Sequence, residues 1–233
     1  MDAQSIYEIL LLVGPLLLSL TVHEYAHART ALAFGDATAK NQGRCTLNPL
    51  AHLDPIGTIV LVVTRFIGWA RPVPVNPNNL HPRRLGDIAV SLAGPMSNFC
   101  LAVLCGLGLK LLYMTIGAPK APLERAGFLL LGWTMMANIG LGMFNLIPLF
   151  PLDGHHILRE SLPTTDQRMR FMQWQIRYGR IALAALIFAP MVLETVLRRK
   201  VFRPISWLFV HVLGFALRVL DLGDVLPYML PSG

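Results

Sequence analysis

His23 and His27 stand four residues apart with Glu24 between them, in the stretch Val22-His23-Glu24-Tyr25-Ala26-His27. On a helix that spacing projects both imidazoles from one face about one turn apart, so that both can bind one Zn2+ ion while the glutamate acts on water beside it. The surroundings sharpen the pattern, H-E-x-x-H. Residues 10–20 are apolar except for Ser19, and between Ala28 and Phe34 only Arg29 and Thr30 interrupt an apolar run. Histidine and glutamate are expensive to hold in such a setting, and a metal, a partner or water must offset their desolvation.

A catalytic zinc takes three protein ligands and keeps a position for water. The soluble zincin spacings fail here, because Ala33 stands six residues after His27 and no glutamate occurs between Glu24 and Glu124. The third donor must come from farther along the chain. Asp36 and Asp54 sit in turn contexts and Asp87 has the look of a helix cap, roles aspartate commonly fills. Asp153 lies in an otherwise apolar stretch, Leu149-Phe150-Pro151-Leu152-Asp153, where a structural role is harder to assign. It is the preferred third ligand, with His155 and His156 as the alternatives.

The elements that must position these groups follow from the apolar runs. The first helix is expected from about Ile6 to Phe34, with Gly14-Pro15 as a kink, which is ample for a bilayer core needing roughly 20 residues. Ile56–Trp69 is short for a span and carries Thr64-Arg65, so a re-entrant or interfacial segment is expected. Arg71 to Pro77 has prolines on alternate positions, which forbid helix and favour an extended segment. Two further long helices are expected over Ile88–Ile116, containing Gly94, Pro95 and Asn98, and over Gly127–Leu149, with Asn138 and Asn145 seven apart on roughly one face. Pro148 and Pro151 then break the helix, presenting Asp153 from irregular backbone, which is tolerated at membrane depth where it is buried in protein or lines a wet cavity. Arg159–Arg180 combines basic residues with Phe171, Met172, Trp174 and Ile176, the make-up of an amphipathic interfacial helix, with a solvated loop as the equal alternative. Ile181–Leu197 and Pro204–Leu220 form a closing hairpin, and the tail from Asp221 carries no signal.

Composition agrees with this layout. Across 233 residues, 54% are hydrophobic and 14% charged, and the mean hydropathy is +0.54. An ordinary soluble domain is excluded, and an all-α polytopic membrane protein of about five to six transmembrane helices is expected. The net charge of +7 falls in the connections between apolar runs, so it points to membrane topology and not to nucleic acid. Residues 1–8 carry two acids and no base, so the first apolar run is expected to remain in the mature protein. Cys45, Cys100 and Cys105 lack ligand spacing and read as packing residues.

Counting charges chooses between topologies. If Ile56–Trp69 crosses, the basic residues of the connections divide evenly between the two sides. If it dips in and returns, ten fall on one side and six on the other. The second arrangement obeys the positive-inside bias, makes the ten-charge side cytoplasmic, and brings His23, His27 and Asp153 to one depth. Five full spans, an outside N-terminus and a site nearer the cytoplasmic face are therefore expected.

H-E-x-x-H in the first hydrophobic helix, together with Asn145-x-x-Pro148-x-x-Pro151-Leu152-Asp153-Gly154 in a later one, resembles the site-2 protease family of intramembrane zinc metalloproteases. Leu53 to Thr58, Gly68 to Asn76 and Ala93-Gly94-Pro95-x-x-Asn98 resemble a compact subgroup of it that lacks a PDZ domain. The likeness runs over about residues 10–160. It implies one Zn2+ per chain held by His23, His27 and Asp153, with Glu24 as general base and Asn145 as a donor near the reacting carbonyl. It also implies an endopeptidase cutting a single-pass or small membrane protein within or near its transmembrane segment. His155 departs from the family, which more often has a second glycine there, and a contact of His155 or His156 with the metal's surroundings is left open.

Within that reading, residues 1–160 form the metalloprotease core and 161–233 an amphipathic connection plus helical hairpin, in a bacterial-type cell membrane. A substrate helix must unwind before attack, and the extended segment around Val73 and Val75 could hold the unwound strand by β-augmentation. Asn98 could bond across to the site or serve packing. A catalytically silent zinc-binding adaptor is the alternative function, and retention of Glu24 argues for the enzyme. A metal transporter would repeat its acid and histidine sites along a path, whereas here they are concentrated in one place. Substrate identity and oligomeric state are not legible.

Overall fold

The computed structural model describes residues 3–64 and 69–230. Helix α1 (Ala3–Ala33) leads into a short α2 (Thr38–Asn41), then α3 (Pro55–Thr64), α4 (Arg83–Ile116) and α5 (Pro122–Asn145). After the proline break come α6 (Asp153–Ser161), α7 (Thr165–Trp174), α8 (Arg180–Leu197) and α9 (Pro204–Val219). No regular strand forms among the described residues; Leu53 and Ala70 make one isolated antiparallel bridge.

Among the described residues, three helical stretches are long and apolar enough to cross a membrane: Arg83–Ile116, Pro122–Asn145 and Thr165–Leu197. At about 1.5 Å per residue each exceeds the roughly 30 Å hydrocarbon core. The chain is thus an all-helical membrane protein. Helix α1 runs unbroken through Pro15, so the expected kink does not end the helix; Ser19 Oγ donates to the Pro15 carbonyl at 2.6 Å. Helix α3 is described over 10 residues, and residues 65–68 of the segment expected over Ile56–Trp69 lie outside the described residues.

Helices α1, α4 and α5 pack on one another, and α6 packs on α4. Small residues permit this closeness. A Cβ on Gly142 of α5 would lie 2.9 Å from the Phe99 ring of α4. Farther along α4 and α5 the core joins Ala102, Cys105 and Leu109 to Phe128, Met135 and Ile139.

Two features of the C-terminal part go beyond the sequence reading. The tail from Asp221, which carries no signal in the sequence, adds Leu222, Val225 and Met229 to that same core. Gly132 of α5 has no side chain where Met229 sits, its Cβ position lying 2.8 Å from Met229 Cβ. The interfacial helix expected over Arg159–Arg180 is also not a separate piece. Helix α6 stops at Ser161, and from Thr165 the chain runs into α8 as one helix interrupted by a single wide π turn, Gln175–Gly179.

Candidate metal centre

One turn of α1 presents His23 and His27 toward α4, and both are buried. Nδ1 of His27 lies 2.7 Å from the Val90 carbonyl, which can only accept, so this nitrogen carries the proton. Nδ1 of His23 lies 2.7 Å from Oδ1 of Asn98. The Asn98 amide orientation is fixed independently: its Nδ2 donates to the Ser19 carbonyl at 3.2 Å and to Asn138 Oδ1 at 2.7 Å. Oδ1 of Asn98 is therefore an acceptor and His23 Nδ1 a donor. Asn138 in turn donates to Ser19 Oγ at 2.7 Å and to the Thr134 carbonyl at 2.8 Å. With both Nδ1 atoms protonated, both Nε2 atoms present lone pairs.

Those two Nε2 atoms are 3.0 Å apart. Asp153, the first residue of α6, brings Oδ2 to 3.3 Å from His23 Nε2 and 3.5 Å from His27 Nε2. Oδ2 is buried and has no hydrogen-bond donor. Three acceptor atoms facing one another is an arrangement that a cation satisfies. Tetrahedral zinc with ligands at about 2.0–2.2 Å separates its donors by roughly 3.3–3.6 Å; both distances to Asp153 Oδ2 match that spacing, and the two imidazole nitrogens sit slightly closer. His23, His27 and Asp153 form the one group of metal-ligating type among the described residues. Gly94 of α4 leaves the room: a Cβ there would stand 2.5 Å from His23 Cε1 and closer still to His27 Nε2.

Asp153 reaches this position because the chain breaks after Asn145. Pro148 and Pro151 supply no N–H, so the helix cannot continue, and the segment folds until α6 starts at Asp153, where the helix N-terminus favours a carboxylate. Gly154 makes the fold-back possible, since a Cβ would meet the Ile147 carbonyl at 2.5 Å. Helix α6 is tied to α4 by an ion pair between Arg159 and Asp87 and by Arg84, whose Nη2 donates to the Leu162 carbonyl at 3.2 Å. Asp87 is thus a buried partner of α6 and not the expected helix cap. Asp54 does cap, accepting from Gly57 N at 2.8 Å.

Glu24 turns toward the extended segment, where its Oε2 accepts from Val73 N at 2.8 Å. That segment is held at both ends. Arg44 donates to the Arg71 carbonyl, and Asp36 accepts from Asn76 N at 2.7 Å and from Asn79 Nδ2 at 3.0 Å. Val75 packs against the buried cluster of Ala31, Leu80 and Val90. Asp36 and Arg44 were invisible as clamps in the sequence, because their partners lie some thirty to forty residues away and are mostly backbone groups.

Other expected site residues fall elsewhere. The Asn145 amide donates to the Leu141 carbonyl of its own helix at 3.0 Å; of the α5 asparagines, Asn138 is the one bonded into the network behind His23. His155 Nδ1 bonds the Leu152 carbonyl at 2.5 Å and its ring meets Phe150 edge-on. His156 Nδ1 lies 3.7 Å from Asp87 Oδ1. Neither histidine belongs to the three-acceptor cluster.

Comparison with known proteins adds an independent line. The family model described as "Peptidase family M50" matches residues 114–189, which include Asp153. Four relatives, among them the next two, are named as putative zinc metalloproteases. YwhC of Bacillus subtilis (strain 168) is 43% identical over 77% of this chain and 81% of its own length. Rip2 of Mycolicibacterium smegmatis (strain ATCC 700084 / mc(2)155) is 32% identical over 86% of this chain and 73% of its own. A more distant match, the zinc metalloprotease MJ0392 of Methanocaldococcus jannaschii, is 27% identical over 48% of this chain and 31% of its own length. No solved structure gives a significant match.

Proposed function

The chain belongs to peptidase family M50, the family of the site-2 proteases, and from that premise we propose that it is a zinc endopeptidase that hydrolyses a peptide bond within or beside a transmembrane segment of another membrane protein. The observation that carries the reading is the convergence of His23, His27 and Asp153, with Asp153 Oδ2 buried and without a donor, and with Glu24 next to His23 on the same helix.

In this reading His23 Nε2, His27 Nε2 and Asp153 Oδ2 hold one Zn2+ per chain. When bound, the ion supplies a Lewis acid for the scissile carbonyl and a more acidic water. Glu24 accepts the proton of the attacking water and returns it to the leaving amine. Asn98 and the Val90 carbonyl keep the two imidazoles in the tautomer that offers Nε2. Asn145 stands at the end of α5 beside the broken segment, and rotation of its amide away from Leu141 would free a donor for the developing oxyanion.

The substrate strand would lie along residues 71–76, with Val73 and Val75 as its contacts on alternate positions of the extended segment. Five full spans, a re-entrant Ile56–Trp69 and a site nearer the cytoplasmic face of a bacterial-type membrane complete the proposal. The charge asymmetry of the connections supports them.

The test is metal and cleavage together. Purified protein should carry about one zinc per chain. Glu24→Gln should keep the zinc and lose cleavage of a membrane-peptide substrate, whereas His23→Ala and Asp153→Ala should lose both. Full cleavage by Glu24→Gln would defeat the assignment.

A further inference from the structure

The wide turn inside the long helix of residues 165–197 carries Gln175, a carboxamide only 1% exposed. Nothing in the proposed chemistry uses it. Its Oε1 accepts from Phe150 N at 2.8 Å and its Nε2 donates to the Pro148 carbonyl at 2.7 Å. These are groups the double-proline break leaves without helical partners, and unpaired they would be costly in a dry interior. A carboxamide is the side chain that can give to one peptide group and take from another at once, as a strand edge does. Gly179, one turn further on, completes the cradle. A Cβ there would stand 2.6 Å from Gln175 Oε1 and 3.0 Å from Phe150 Cβ.

We propose that Gln175 is a positioning residue for the metal centre: by clamping Pro148 and Phe150 from the far helix, it sets where the chain restarts at Asp153. The inference rests on the zinc-site reading above and extends it to a helix that contributes no ligand. The π turn has a local reason in this light. An i→i+5 turn inserts one residue into the helical register, and such turns are frequent at functional sites. Here the wide turn carries both Gln175 and the bare Gly179 against the proline-broken loop. Asp153 lies only three residues beyond Phe150, so a loop released at Phe150 loses the restraint that keeps Oδ2 within 3.3 Å and 3.5 Å of the two imidazoles. The geometry thus makes zinc affinity depend on the packing of the long helix against the loop.

The experiment is the zinc dissociation constant of the folded protein, measured by chelator competition in the Glu24→Gln background, so that cleavage plays no part. Gln175→Met keeps the volume and removes both hydrogen bonds. Gly179→Ala keeps Gln175 and pushes its amide out of place, and it serves where the methionine variant does not fold. Each should weaken zinc binding by about tenfold to a hundredfold, the usual cost of losing a group that orients a ligand. The cobalt-substituted protein should show an altered ligand-field spectrum. The double variant should lose little more than Gln175→Met alone, because both act on one contact. Zinc affinity within about twofold of the parent in folded Gln175→Met, with an unchanged cobalt spectrum, overturns the positioning role and leaves the metal site standing. A parent that binds no zinc, or binds it equally after His23→Ala, defeats the metal-site reading and the positioning role with it.

Discussion

Oδ1 of Asn98 accepts from Nδ1 of His23 at 2.7 Å, across the interface between α4 and α1. The same asparagine gives its two N–H groups to Ser19 and Asn138, so the orientation of one imidazole is dictated by three helices together. Asn98→Ala should lower zinc affinity by about tenfold to a hundredfold. It also leaves buried donors and acceptors without partners, costing about 1–3 kcal/mol. Chelator competition and thermal unfolding in detergent separate the two effects. Asn98→Asp, which still accepts from His23 but sets an oxygen against the Ser19 carbonyl and Asn138 Oδ1, should not restore zinc binding fully.

Gly94 gives a second prediction. Because a Cβ would press on both imidazoles, Gly94→Ala should abolish or strongly impair zinc occupancy. Overpacking of this kind costs about 1–3 kcal/mol in stability. Zinc content by elemental analysis of the folded variant checks it, and normal occupancy would mean that α4 shifts freely, contrary to the packing described.

Val73 N is the donor to Glu24, and proline has none. Val73→Pro should therefore release the Glu24 carboxylate and disturb the strand proposed to receive substrate. Cleavage should fall by about tenfold or more while zinc content stays near one per chain. Unchanged cleavage in Val73→Pro and in Val75→Pro would remove the extended segment from the proposed substrate path.

The Asp36 clamp predicts a pH dependence. Burial works to raise the Asp36 carboxyl, and the bonds from Thr38, Asn76 and Asn79 outweigh it, leaving it below the ordinary value of 3.8. A carboxyl depressed on folding contributes stability that is present above that ordinary value and is lost as the pH falls through the lower folded one. Protease sensitivity of residues 71–79 should rise as the pH is taken below about 4, the unfolded carboxylate range. Asp36→Ala should show that sensitivity already at neutral pH.

The candidate site was legible where residue type and short spacing carry it. His23, Glu24 and His27 announce themselves because a helix turns about every 3.6 residues, and Asp153 stood out as a charge in an apolar stretch broken by prolines. The network behind them was half legible. Asn138 and Asn145 share a face in the sequence, but which end of α5 lies beside His23 depends on how far α1 and α4 slide along it, and periodicity does not encode that. Gln175 gave no signal at all, because its partners are two peptide groups whose freedom arises from prolines far earlier in the chain. The tail was unreadable for a similar reason: Leu222, Val225 and Met229 fill a crevice that exists only once α4 and α5 have met.

That crevice has a temporal consequence. Residues near position 229 are its filling, so α4 and α5 cannot reach their final packing until synthesis has run past them, long after α1, α4 and α6 have left the ribosome.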